Sequence, residues 1–472
     1  MKKQIHFTLW FLMLFMVLQP IFDAATFWTV NRMSLPNVVI YIRIALVFVI
    51  GLIAMIRIGW NRLAIAVLAV YAVYIAANYL YNRQEGGDIS ILVDTCKLFL
   101  MPITMLLIIW CGKNDGEAVA KSVWRGTAYA CIAILLIVLL SFITGTHYPT
   151  YDRPWLSIGL NGWFYSGNGQ SIIIVTASLF LVSMLLKRPN LLLPIGLAGA
   201  WILLFFNGTR FAYFGLMIIM AGLLLVCALC HFIFRTQRFS WWVFASLAIT
   251  LVMAVGLYPV SPARKIADFK TYQVQFFMDL PPIPAPEPGP VIPSTAPTTE
   301  DSIAKAKTQG EFFLMVSTSP MRLQLDTRYK QLEFVKMTMK NAPAYRWLFG
   351  YGMKWFTLNV GDMETDYYAL FGGYGILGTL LYFAPIVWAL VVSFMSIWKK
   401  RKQNSLSLPI GILVLAITIL LGAAQLAGRA LQQPSVSIYF STSIALLYLV
   451  SVNGLFSQLP EPLIVPRKTL KS

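Results

Sequence analysis

Arg210, Arg328, Glu364 and Asp366 are the residues of this chain best suited to chemistry. Guanidinium groups bind phosphate bidentately and carboxylates accept protons. The four are far apart in sequence, so their use together depends on the elements that carry them. Arg210 opens an apolar segment in Asn207-Gly-Thr-Arg-Phe-Ala-Tyr, and Glu364 and Asp366 stand just before another. Threading the apolar segments through a membrane brings all four to one side, where they mark an outward-facing polar site.

The membrane assignment follows from composition. Of 472 residues, 58% are hydrophobic and 12% charged, with mean hydropathy +0.70. Soluble domains carry about 25% charged residues. A helical span needs about 20 mostly apolar residues, and the polar breaks delimit twelve, at 7–26, 38–57, 62–81, 91–111, 126–144, 169–186, 190–206, 210–234, 240–258, 367–396, 407–427 and 435–455. The fold class expected is all-α and polytopic, with transmembrane helices 1–9 in residues 1–258, one large external loop over 259–365, and helices 10–12 with a cytoplasmic tail in 366–472. The net charge of +18 invites a nucleic-acid partner, but its distribution excludes that reading. With a cytoplasmic N-terminus, eighteen of the 37 basic residues fall in inside loops and five in short outside loops, a strong positive-inside bias. Twelve more lie in the long loop, which that rule exempts. The termini are then cytoplasmic, the protein sits in the plasma or inner membrane, and anionic lipids account for the basic excess. The first apolar run continues past Pro20 without an Ala-x-Ala-type site, so it is read as an uncleaved span. The five cysteines lie in or beside spans, and Cys227-x-x-Cys230 has no second pair with which to hold a metal; neither metal nor cofactor is called for.

Charges inside spans are costly, about 2.5–3.5 kcal/mol each on insertion scales, and usually mark function. Asp23, Arg43, Asp94 and Lys97 all fall in the outer halves of their spans. Asp94 and Lys97 are three apart and able to pair. Interhelical ion pairs would account for them singly; their shared depth suits a polar cavity opening outward, with Arg43, Asp94 and Lys97 as substrate contacts. Arg429, closing span eleven on the outer side, is another such contact. Snorkelling explains one arginine at a helix end, but their recurrence on the disfavoured side points to an anionic ligand. The connection between spans five and six, with Arg153, Trp163 and Asn168 among its aromatics and amides, reads either as an interfacial aromatic belt or as a sugar-contacting loop.

Within the long loop, 279–299 is Pro-rich and cannot be helix or sheet interior. Residues 302–325 are mixed, with Phe312-Phe313-Leu314-Met315 as a surface or membrane-interface contact. Residues 326–341 predict an amphipathic helix capped by Asp326 or Thr327, with Arg328, Leu332, Val335 and Met339 on one face. No internal repeat stands out.

Glu364-Thr365, nine residues, then Gly375-Ile-Leu-Gly378 resembles the external signature of O-antigen ligases and polymerases. Trp347-Leu-Phe-Gly350-Tyr-Gly352 downstream of Arg328 is similar to that family's Arg … Leu-Phe-Gly-x-Gly segment, and Gly-Thr-Arg210 to its Ser-Arg at the outer start of a span. Gly162-Trp-Phe-Tyr-Ser-Gly-Asn168 looks like a loop of its Gram-positive branch. The ligases have His where this chain has Glu364, which brings it closer to the polymerases. The resemblance implies metal-independent transfer of a glycan from a polyprenyl-pyrophosphate carrier to an acceptor glycan at the outer leaflet. It further implies membrane lipids and other polysaccharide-assembly proteins as partners. Arg210 and Arg328 would hold the pyrophosphate and Glu364 would take the acceptor proton, with Asp366 its competitor. The alternative for the two carboxylates is a helix N-cap pair favoured by the macrodipole. A ligase using a different acceptor, and a transporter or flippase of a lipid-linked or anionic solute, are the competing functions; the absence of a visible repeat counts against transport.

Overall fold

The computed structural model describes residues 2–83, 89–153, 156–164, 166–186, 192–279, 300–319, 326–400, 407–428 and 430–453. The Pro-rich 279–299 stretch, apart from its first residue, and Arg429 lie outside them. Helices α1 (Lys2–Phe27), α2 (Val39–Ile58), α3 (Arg62–Arg83), α4 (Ser90–Cys111), α5 (Gly116–Ile143), α6 (Gly167–Leu185), α7 (Leu192–Phe206), α8 (Arg210–Ala228) and α9 (Trp241–Gly256) occupy the first nine predicted spans. A short antiparallel hairpin, β1 (Tyr151–Arg153) with β2 (Leu156–Ile158), stands between α5 and α6. The long connection then carries α10 (Pro262–Asp279), α11 (Glu300–Thr318), α12 (Thr327–Asn341), α13 (Ala344–Phe349) and α14 (Met353–Val360). The chain returns to the bundle through α15 (Asp366–Lys399), α16 (Leu408–Leu426) and α17 (Pro434–Asn453). Among the described residues, ten helices are long and apolar enough to cross a membrane. The other two predicted spans are shorter apolar helices, α7 with 15 residues and α9 with 16. At 1.5 Å per residue these rise only about 22–24 Å, less than the roughly 30 Å hydrocarbon core.

Helices α6 and α17 form the centre, each 89% buried over its apolar window, whereas α3 is 17% buried and lies at the edge. The many serines of α17 satisfy themselves within the helix, Ser441 donating to Ile438 O at 2.7 Å and Ser443 to Tyr439 O at 2.9 Å. Small residues then allow close packing without a stranded hydroxyl, the usual device where lipid supplies no hydrophobic drive between helices.

The long connection folds back against α15. Inside that helix Gly375 leaves the helical region (φ 65°, ψ −170°), and beside it Gly350 and Gly352 both take φ 75°. Their segment pairs with the helix backbone: Tyr351 N donates to Gly372 O at 3.0 Å and Gly352 N to Gly373 O at 2.8 Å. A Cβ on Gly350 would sit 2.5 Å from Tyr374 N, and one on Gly375 2.7 Å from Gly350 N. Only glycine permits both the φ and the approach. The kink frees carbonyls that must be satisfied at membrane depth. A polar stripe on the otherwise apolar α3 serves carbonyls here: Tyr74 donates to Tyr374 O at 2.6 Å beside the kink, Tyr71 to Leu381 O at 2.8 Å, which Pro385 leaves without an N–H, and Asn78 to Phe349 O at 2.9 Å at the end of α13. At the stripe's end, Asn82 accepts from Arg346, which also forms a buried fork to Asp301 at 2.9 and 3.3 Å. That pair ties α11 and α13 to α3.

The sequence expectations for this connection need three adjustments. The mixed 302–325 stretch is largely helix α11, in which Phe312 packs on Phe334 while Phe313 and Leu314 stay exposed. Helices α10, α13 and α14 were not expected. Helix α12 begins with Asp326 accepting from Arg328 N at 3.0 Å and Tyr329 N at 3.2 Å, but its buried face is Gln331, Phe334, Val335, Thr338 and Met339. Arg328 and Leu332 flank that face, because the helix packs against both α11 and α14 instead of on a single apolar surface.

Gly350→Ala and Gly375→Ala are expected to lower stability by at least about 1–2 kcal/mol each from the left-handed backbone alone, with steric overlap added. Gly310→Ala, in an open stretch of α11 with nothing within 4 Å, should be neutral or stabilising by up to about 1 kcal/mol. Thermal unfolding of the detergent-solubilised protein, followed by size-exclusion fluorescence, measures the difference.

Candidate active site

Arg210 is exposed at the first position of α8. Thr209 caps the helix by accepting from Ala212 N at 3.0 Å, as a threonine N-cap should. Buried Asn207 locks the turn, accepting from Thr209 Oγ1 at 2.8 Å and donating to Gln170 Oε1 at 3.0 Å. Gly208 (φ 84°) lets the turn press on the hairpin side, where its Cβ would lie 2.8 Å from Gly159 Cα. Thr150 donates to Asn207 O, and Leu160 N to Phe206 O at 2.7 Å. The hairpin is thereby fixed next to Arg210, and Tyr151 on β1 senses the charges of both Arg210 and Glu364. Burial pushes its phenol above the usual value, Arg210 opposes the shift, and Glu364 adds to it.

Glu364 and Arg328 meet in an ion pair, Arg328 Nε donating to Glu364 Oε2 at 3.1 Å. The side chains are 43% and 39% exposed, so the carboxylate remains open to a ligand. Gln331, fully buried one turn beyond Arg328, sets this geometry: its Oε1 accepts from Glu364 N at 2.8 Å while its Nε2 donates to Asp362 O at 2.8 Å. The Glu364 backbone also touches Gly428 (φ 73°), where a Cβ would lie 2.8 Å from Glu364 Cα. Gln331 and Gly428 escaped the sequence reading. The first had a signal, a lone amide one turn from the helix cap.

Asp366, two residues on, is differently employed. It is fully buried, accepting from Ala430 N at 2.6 Å and Leu431 N at 3.0 Å on one oxygen and from Gln432 Nε2 at 2.8 Å on the other. It anchors the turn between α16 and α17 by capping backbone donors there. It does not cap α15, whose N-cap is Thr365, so the N-cap pair considered for the two carboxylates is not the arrangement seen.

The charges expected at one depth do line one cavity, of about 310 Å³, that includes Asp23, Arg43, Asp94 and Lys97. Arg43 pairs with Asp23 at 2.6 Å, and Lys97 with Asp94 at 2.8 Å. Trp163 donates to Thr146 Oγ1 at 2.9 Å and stands edge-on to Trp28, and Asn168 donates to Ala427 O at 3.1 Å. These contacts give both residues positions in the scaffold. Arg153 pairs with Leu156 across the hairpin, and its side chain lies outside the described residues.

The family model for O-antigen ligase like membrane proteins matches residues 5–453. The chain belongs to this family. No curated protein matches the chain. Membership supports a multi-pass membrane enzyme of surface-glycan assembly. In this member the Leu-Phe-Gly-x-Gly segment hydrogen-bonds to Gly372 and Gly373, just before the Gly-x-x-Gly segment, whose first glycine, Gly375, shares the close approach to Gly350.

The two carboxylates are expected to separate in a stability measurement. Asp366→Asn leaves one acceptor oxygen for three donors and removes the charge they converge on, and should cost about 1–3 kcal/mol or more, read as lost folded yield and a lower Tm. Glu364→Gln breaks only a half-exposed pair, worth about 0–1 kcal/mol, and should leave both unchanged. Equal destabilisation by the two would refute this division of roles.

Proposed function

We propose that the chain is a membrane glycosyltransferase that polymerises polyprenyl-diphosphate-linked oligosaccharide units on the outer membrane face. The observation that carries this reading is the meeting of Arg328 with Glu364, with Tyr151 within electrostatic reach of both Glu364 and Arg210. Three distant segments thus supply two guanidiniums and one accessible carboxylate to one place, the equipment that departure of a diphosphate requires. The positive-inside bias of the short loops supports an extracytoplasmic site.

In the reaction proposed, Arg210 and Arg328 grip the donor diphosphate. The acceptor hydroxyl oxygen forms a bond to the anomeric carbon as the bond from that carbon to the phosphate oxygen breaks. The electron pair leaves with the polyprenyl diphosphate, and the hydroxyl proton passes to Glu364. Direct displacement inverts the anomeric centre. Charge grows on the leaving diphosphate, so the arginines act most strongly in the transition state. Lys replaces them poorly because it lacks the planar fork. Arg328 spends Nε on Glu364 in the structure. Engaging the diphosphate would draw that guanidinium away and release the carboxylate as a base. Asp366, buried under three hydrogen bonds, is assigned to the scaffold. Glu364 in place of the ligases' His favours polymerisation over ligation.

The series Arg210→Lys, Arg328→Lys and Glu364→Gln tests this, with glycan length resolved on gels at matched expression. Each should shorten or abolish long polymer, by at least about tenfold in rate for loss of one such charge contact. Long polymer unchanged in all three would sink the mechanism.

A further inference from the structure

The cavity holding Asp23, Arg43, Asp94 and Lys97 is distinct from the Arg210, Arg328 and Glu364 group, none of which lines it. It opens between α1, α2, α4, α6, α15 and α17, and α14 contributes Met353 and Thr357. At about 310 Å³ it falls at the small end of ligand pockets, about 300–1,000 Å³.

Its charges are spent on one another. Arg43 is paired with Asp23 and Lys97 with Asp94, and the lining has a further carboxylate, Asp362. With both of its cations already paired, the cavity is a poor seat for a diphosphate. Buried polar atoms nevertheless point to a ligand: Arg43 Nε, Gln170 Nε2 and Gln433 Oε1 have no hydrogen-bond partner among the described residues. Arg43 is 5% exposed and Gln170 2%, and a buried donor or acceptor left unmade is costly. Two of these atoms donate and one accepts. A hydroxyl does both, whereas a phosphate oxygen only accepts. Phe164, Ile40 and Ile173 add apolar wall for the C–H face of a ring.

The cavity also adjoins the proposed chemistry. Asp362 and Met363 line it and lead directly into Glu364. Gln432, on its other wall, is held by Asp366.

We infer that this cavity seats the uncharged terminal sugar of the acceptor glycan and presents its hydroxyl toward Glu364, while the donor diphosphate stays outside at Arg210 and Arg328. The inference rests on the glycosyltransferase reading above. In this arrangement Asp366 is a positioning residue for the acceptor, acting through Gln432.

Met353 and Met363 permit a test without redesigning the wall. A diazirine analogue of methionine is incorporated throughout the full-length chain in its native host, the cells are irradiated, and adducts are mapped by mass spectrometry. Mild acid then splits sugar from diphosphate. Adducts at Met353 or Met363 that keep saccharide mass after this step are expected. Adducts that keep polyprenyl diphosphate mass would overturn the inference by placing the donor's anionic end in the cavity. No glycan adduct at either residue, in cells that still make polymer, would overturn it as well. Failure of the underlying reading is visible separately, as long polymer unaffected by the Arg210, Arg328 and Glu364 substitutions.

Discussion

The approach of two backbones through glycine, Gly350–Gly352 against Gly372–Gly375, is the constraint on which the candidate site depends. Without side chains in the way, the long connection hydrogen-bonds directly to the kinked start of α15. That contact fixes both ends of the 353–371 stretch, and Glu364 lies within it. Helix α3 answers the irregular backbone of α15, with Tyr74 on Tyr374 O at the kink and Tyr71 on Leu381 O, which Pro385 leaves without an N–H. Irregular backbone at membrane depth survives where protein supplies its hydrogen bonds. A peripheral helix with little buried surface is in this way necessary to a site that it does not touch.

A second constraint governs where charge is free. Every ionisable group buried in the bundle costs solvation, and the molecule offsets this by pairing Arg43 with Asp23, and Arg346 with Asp301 and Asn82. Such pairs are rigid, and breaking one partner away leaves a stranded charge. Arg328 and Glu364, by contrast, pair in a half-exposed position, where the interaction is weak enough for an anion to compete. Burial therefore sorts these arginines into two kinds, those that fix packing and those free to exchange partners.

Much of the scaffold was legible because hydropathy has a strong physical cause. Twelve apolar segments were read, and twelve apolar helices occupy them, two too short to meet the length for crossing. The Asp326 cap was legible because one side-chain oxygen serving the first amides is a local matter. The shared depth of Asp23, Arg43, Asp94 and Lys97 was likewise readable, since depth follows from span direction. What was not legible depended on distant partners. Asp366 looked like a base beside Glu364 until its oxygens were found facing Ala430, Leu431 and Gln432, over sixty residues away. The hairpin at Tyr151 is held by the Asn207 turn, a pairing with no local signature. The stripe of Tyr71, Tyr74, Asn78 and Asn82 did leave a trace, polar groups recurring every three or four residues in an apolar span. It is the pattern from which a buried helix face could have been read.

The glutamate at the position where the related ligases carry histidine acquires a physical consequence from its partner. A neutral imidazole attracts a guanidinium far less than a carboxylate does, so a histidine there would be less tied to Arg328. A carboxylate held by Arg328 has one oxygen engaged until that arginine is drawn off. In the proposed reaction the group that draws it off is the donor diphosphate itself. Donor binding would then free the second carboxylate oxygen beside the one already open to solvent. On the proposed reading, the residue that departs from the ligase pattern thus couples the carboxylate to the arginine that would hold the donor, a link that a neutral side chain at this position would make far more weakly.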